Sequence, residues 1–182
     1  MRKLLTTGAV ALVTLALCAT AALAVTLPTF KSDLIVPNRS LAGVTLKSTY
    51  KEAVRAFRSG TRGCSTTKGC SYRASNGATF SILFAKLTET GKPIVAEISI
   101  LAGDKVSGDH ETPLFDTPLA ALKTAQGIGL GSTVAALRHA YPHLSGSALD
   151  GFEMKGPGDY GTHFGVLDGR VTLIQMEGVH VG

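Results

Sequence analysis

Hydrophobic and polar positions follow three different patterns along this chain. The first is an uncharged run. Arg2 and Lys3 open the sequence, and no further charged side chain appears until Lys31. Between them, Leu4 to Ala24 is rich in Leu, Ala and Val and closes on Ala22-Leu23-Ala24. A basic start, an apolar middle and a small-x-small end are the parts of a secretory signal peptide, so cleavage is expected after Ala24. An uncleaved run of about 20 apolar residues would just span a bilayer and anchor the chain instead. The Ala-x-Ala site and the following Pro28 favour cleavage. Cys18 does not read as a lipoprotein cysteine, because the residue before it is the bulky Leu17.

The second pattern is helical and occurs twice. Gly43-Val44-Thr45-Leu46-Lys47-Ser48-Thr49 matches Gly127-Ile128-Gly129-Leu130-Gly131-Ser132-Thr133 at an offset of 84 residues. In the same register Tyr50, Ala53 and Phe57 meet Val134, Leu137 and Tyr141, positions that share one face of an amphipathic helix. Val54 completes that face in the first copy. Thr49 and Glu52 have capping-box spacing, which predicts a helix from Tyr50 to about Arg58 that stops at Gly60. In the second copy Ser132 or Thr133 caps, and Pro142 follows the last turn.

The third pattern is alternation. Cys70–Ala74, Ala78–Ala85 and Ile94–Leu101 read as strands in the first half, and Phe164–Leu167 and Arg170–Met176 in the second. Asp168-Gly169 between the last two signals a type I′ hairpin. Leu119–Thr124 reads either as a short helix after Thr117-Pro118 or as a strand. Residues 104–113, rich in charge and turn formers, read as a linker. The expected fold is therefore α+β, with two tandem repeats, each a short helix packed on a small antiparallel sheet. Residues 1–24 are the signal peptide, 25–103 the first repeat and 104–182 the second.

Composition sharpens this division. Charged residues make up 17% of the chain and hydrophobic ones 45%, which excludes a disordered polyelectrolyte. The net charge of +5 becomes +3 without the leader, and it divides into +7 over residues 25–103 and −4 over residues 104–182. Aromatic residues are few and not interleaved with basic clusters, so no nucleic-acid partner is expected. Without Cys18, two cysteines remain, Cys64 and Cys70, and an even pair in an exported chain reads as a disulfide. The short loop it closes is worth roughly 2–2.5 kcal/mol. The segment from Thr61 to Arg73 is basic, and Arg62, Lys68, Tyr72 and Arg73 make it the candidate recognition loop.

Candidate chemistry is sparse. Gly127-Ile128-Gly129-Leu130-Gly131 imitates a dinucleotide fingerprint but lacks the third glycine at the required spacing. The first copy has Thr45 and Lys47 at the matching positions, so a turn entering a helix explains both. His139 and His143 have metal-pair spacing, but Pro142 ends the helix between them. Asp109-His110-Glu111 reads as a solvated turn, and His163 as a sheet-surface histidine. Asp116, Asp150, Asp159 and Asp168 sit among turn formers. No nucleophile elbow stands in the chain. No catalytic, cofactor-binding or metal-binding residue is assigned, and no cofactor is expected.

The stretch Gly-x-x-Leu-x-Ser-Thr, a short helix, a Cys-closed turn and then antiparallel strands resembles the β-lactamase inhibitory protein class, which includes the SmpA/BamE-type envelope lipoprotein fold. The matching residues are Gly43–Phe57 with Cys64 and Cys70, and Gly127–Tyr141. Thr124 to Pro142 also resembles a segment of secreted bacterial proteins of unknown function. The resemblance is specific over about 15–20 residues per copy. It implies a tandem duplication. The second copy lacks the cysteine pair, and no inhibitory loop is matched, so inhibitory activity is not implied. The expected function is an exported, non-catalytic binding protein for a protein or cell-envelope ligand, with membrane contact only if the signal stays uncleaved. The alternatives are a secreted hydrolase with dispersed acid and base residues, or an envelope structural protein.

Overall fold

Frequent tight turns keep the first strands short. The computed structural model describes residues 27–59, 64–66, 69–88, 90–107, 110–158 and 160–178. The expected leader lies outside the described residues. Strands β1 (Thr29–Phe30), β2 (Leu34–Val36), β3 (Ser40–Leu41) and β4 (Val44–Thr45) are separated by turns in which Asn38, Ala42 and Gly43 take positive φ. Helix α1 (Tyr50–Val54) starts at the expected cap. Thr49 accepts from the Glu52 N–H, and the Thr49 N–H donates to the Glu52 carboxylate at 2.7 Å. The helix does not reach Arg58. It ends at Val54, and β5 (Phe57–Ser59) follows, pairing antiparallel with β1 so that Phe57 lies opposite Phe30. Burial of Phe57 is met equally well by a strand, and the strand also pairs its backbone with β1.

The chain continues with β6 (Cys64–Ser65), β7 (Gly69–Arg73), β8 (Thr79–Ala85) and β9 (Ile94–Leu101). The expected linker is instead a hairpin of β10 (Gly103–Ser107) and β11 (His110–Leu114). Asp104 to Ser107 are all exposed, the apolar Val106 among them, so no buried–exposed alternation marks β10. Pro118–Ala121 then forms a 3₁₀ turn capped by Thr117, followed by β12 (Lys123–Thr124). Both readings of Leu119–Thr124 are thus realised in succession. Helix α2 (Val134–Ala140) is capped by Thr133 and stops before Pro142. β13 (Ser145–Ser147), β14 (Gly151–Lys155), β15 (Gly161–Leu167) and β16 (Arg170–Glu177) complete the chain. The turn between the last two has φ of 51° at Asp168 and 70° at Gly169, as a type I′ turn requires.

The fold class differs from the expected helix-on-sheet repeat. The protein is mainly β, and its two helices among the described residues have five and seven residues. One antiparallel sheet of eight strands has the order β13-β14-β15-β16-β9-β8-β7-β6. A four-stranded sheet has the order β12-β2-β3-β4, with β12 parallel to β2. The apolar helical periodicity spans barely two turns, too few residues for the helices to form a layer alone. The small sheet, β1, β5 and the helices together cover one face of the large sheet. Ile35, Leu41, Val44, Ala53, Leu130 and Leu137 meet Phe80, Ile82, Ile98, Ile100, Phe164, Ile174 and Met176 in one buried cluster.

The two Gly…Ser-Thr segments share local geometry. The Lys47 N–H donates to the Val95 carbonyl, and the Gly131 N–H to the Val171 carbonyl, each at 2.8 Å. The Ser48 and Ser132 carbonyls accept from the Val95 and Val171 N–H groups, also at 2.8 Å. Lys47 and Gly131 both take positive φ, 63° and 82°. Glycine adopts that conformation without steric cost, whereas a lysine there is strained.

Candidate functional site

The alternation along the large sheet gives it a second face, over which the described residues place no second sheet or helix; the β10–β11 hairpin borders it at Arg73, Thr79 and Leu101. Core side chains such as Tyr72, Phe80, Ile98, Ile174 and Phe164 point to the covered face. The intervening residues point the other way, and the strand registers align them. Ser71 lies opposite Ser81, Ser81 opposite Ser99, and Ser99 opposite Gln175. Gln175 lies opposite His163, His163 opposite Glu153, and Glu153 opposite Ser145. One polar row therefore crosses seven of the eight strands. Ser81 and Ser99 share a hydroxyl–hydroxyl hydrogen bond of 2.7 Å. A parallel row runs Leu83, Glu97, Glu177, Gly161, Lys155. On the other side lie Arg73, Thr79, Leu101, Leu173 and Gly165. Leu83 and Leu101 are exposed apolar groups at 49% and 40%.

The electrostatics of this face centre on Glu97 and Glu177, which stand directly opposite each other. Burial pushes the Glu97 carboxyl above the usual range, the Glu177 charge adds to that, and a contact from Gln175 acts against it. Gln175 Nε2 also donates to Glu177 Oε1 at 2.7 Å.

Several clefts occur among the described residues, including one of about 500 Å³ lined by Val36, Asn38, Arg39, Leu46, Pro157 and Tyr160. A cleft of about 490 Å³ runs along the end of α2, is lined by Tyr141, Pro142, His143, Leu144 and Met154, and meets the open face at Ser145, Glu153 and Lys155. Burial raises the Tyr141 hydroxyl above its ordinary range, while a contact from Thr124 lowers it. That hydroxyl donates to Gln126 Oε1 at 2.9 Å. Another cleft of about 270 Å³ is lined by Arg73, Asp104 and Glu111 with Leu101 and Leu167. Neither Glu97 nor Glu177 lines any of these clefts.

The sequence-derived candidates divide among these places. Cys64 and Cys70 form a disulfide between directly opposed residues of β6 and β7. That bond is consistent with an oxidising location. Arg62 and Lys68 lie outside the described residues. Tyr72 is a core residue, 1% exposed, with its ring against Phe57 and Phe80. Its hydroxyl donates to the Cys64 sulfur at 3.0 Å, because a disulfide sulfur has no proton to give. Burial, with a smaller contribution from Tyr50, pushes that hydroxyl up to about 12. Arg73 is exposed on the open face. Of the candidate loop, the structure therefore places Arg73 outward and Tyr72 inward. His163 is half-buried on the open face. Asp109 lies outside the described residues. Among the described residues no group of three or more His, Cys, Asp or Glu side chains is placed to hold a metal ion.

Sequence reasoning missed Glu97, Gln175 and Glu177. Their signal was the polar partners of the alternation in Ile94–Leu101 and Arg170–Glu177, visible individually but not as neighbours. The chain matches no known family model, no curated protein and no solved structure.

Proposed function

We propose that this is an exported, non-catalytic binding protein that docks a protein or cell-envelope ligand on the open face of its eight-stranded sheet. The observation that carries this reading is the continuous polar row from Ser71 to Ser145, on a face over which the described residues place no second sheet or helix. Hydroxyl, amide and imidazole groups there supply directed hydrogen bonds, and Leu83 and Leu101 add apolar contact beside them. The signal-peptide pattern and the disulfide support export. The shared geometry of the two Gly…Ser-Thr segments and their resemblance to the β-lactamase inhibitory protein class support a tandem duplication that built a wide sheet. A hydrolase reading would need its acid and base to converge on an enclosed substrate site, and the Glu97–Glu177 pair lines none of the clefts described.

The test is capture from culture medium and envelope fractions by the exported protein and by Ser99→Arg. That change puts a long cation in the middle of the polar row and leaves the covered face intact. A specific partner retained by the wild type and lost at least about tenfold by the folded variant is expected. Equal retention by both would overturn the assignment to this face.

A further inference from the structure

The two four-stranded halves of the large sheet join through one ladder, β9 with β16. That ladder ends in a like-charge pair, Glu97 directly opposite Glu177. Both side chains are half-buried on the open face. Like charges in directly opposed cross-strand positions are destabilising, so this pair sits where it weakens the join between the halves.

We propose that Glu97 and Glu177 form a pH-sensitive latch on this seam, closed when one of the two carboxyls carries a proton and strained when both are ionised. A single shared proton removes the repulsion and supplies an O–H donor between the two groups. The charge that acts on Glu97 is that of Glu177; Lys47, bonded through its N–H to Val95 of β9, carries its ammonium over the Tyr160 ring. On the β8 side Glu97 faces the uncharged Leu83, and the charged residue beyond that strand is the exposed Lys86. On β15, Glu177 faces Gly161, with His163 one pair further along. Lys155 and Glu153 lie beyond on β14. α1, packed against β9, carries Lys51 and Glu52, with Arg55 at its C-cap, and Glu52 is bonded back to Thr49. β3, which also meets β9, contributes Ser40 and Leu41.

The direction of the effect follows from the Glu97 environment. Burial and the Glu177 charge hold its folded-state proton affinity above the ordinary carboxyl value. A group raised in this way contributes stability that is fully present below the ordinary carboxyl range. That stability is lost as pH rises through the raised folded value. Acid therefore tightens the seam, and neutral to alkaline pH loosens it. The proposal concerns the scaffold and holds whether or not the open face docks a ligand.

The thermal midpoint of the disulfide-intact protein, measured from pH 4 to pH 8 for wild type, Glu97→Gln and Glu177→Gln, tests it. Each variant is expected to melt about 2–4 °C above wild type at pH 8, with the gap closing toward pH 4. The double variant is expected to gain less than the sum of the singles, because either change alone removes the repulsion. A gap that is independent of pH, or variants less stable than wild type at pH 8, would overturn the latch.

Discussion

The half of the large sheet built from β6 to β9 and the half built from β13 to β16 present the same strand order outward from a shared seam, yet they are held by different means. The first half is stapled at its outer edge by Cys64–Cys70. Beneath it, Phe80 packs against Phe30, Phe57 and Tyr72 with ring centroids 4.8, 5.9 and 6.1 Å away. The second half has no staple among the described residues. Its outer edge closes through the turn from Ser147 to Asp150, where the Ser147 hydroxyl donates to the Asp150 carboxylate at 2.8 Å and accepts from the Leu149 and Asp150 N–H groups. Its aromatic contacts are pairwise: Tyr141 stacks on Phe164 at 6.1 Å, and the Arg138 guanidinium lies 4.8 Å from the Phe152 ring centre. An edge strand can thus be secured covalently over a clustered core or by turn hydrogen bonds over a dispersed one.

The largest expected effect probes the clustered core. Phe80→Ala removes a fully buried ring with three aromatic neighbours and should cost about 3–5 kcal/mol in chemical denaturation. Phe164→Ala in the other half should cost less, toward about 3 kcal/mol, because its cavity loses one aromatic partner rather than three. Equal losses would erase the contrast between the halves. Replacing Cys64 and Cys70 together by Ser should cost about 2 kcal/mol, since the loop closed is short. Mass spectrometry under non-reducing conditions should find no free thiol at Cys64 or Cys70, and free thiols at both would remove the covalent half of the comparison.

Helix caps give the smallest effect. Thr49→Ala breaks a reciprocal box with Glu52 and should cost about 1 kcal/mol, whereas Thr133→Ala breaks a single bond to the Ala136 N–H and should cost less. Denaturant midpoints of the two variants check the order. Glu52 is held below the ordinary carboxyl value first by the Thr49 backbone N–H and then by the Thr49 hydroxyl, and the hydroxyl's share, which Thr49→Ala removes, is lost as pH falls through the lowered value. The Thr49→Ala penalty should therefore shrink in acid while that of Thr133→Ala does not.

What could be read from the sequence was local. The Thr49–Glu52 box, the Asp168-Gly169 turn, the Cys64–Cys70 pair and the strand Ile94–Leu101 all depend on residues a few positions apart. The fold class did not follow, because it depends on pairings between distant segments. Phe57 continues the helical face of Tyr50 and Ala53 in sequence, but in space it lies opposite Phe30. The hairpin of β10 and β11 was hidden because both of its faces carry polar residues. The polar row was hidden for a related reason. Ser99, Gln175 and His163 are ordinary surface residues until the β9–β16 and β15–β16 registers place them side by side. Tyr72 was grouped with the basic Thr61–Arg73 loop, but it lies in β7, whose period sends Ser71 and Arg73 outward and Tyr72 into the core.

The central claim is that the open face of the eight-stranded sheet is where a ligand docks. Hydroxyl-radical footprinting of the protein alone and with its captured partner tests it most directly. Leu83, Leu101 and His163 should lose reactivity on binding, while Tyr141, His143 and Met154 in the cleft beside α2 keep theirs. Protection confined to the cleft, with the open face unchanged, would contradict the account.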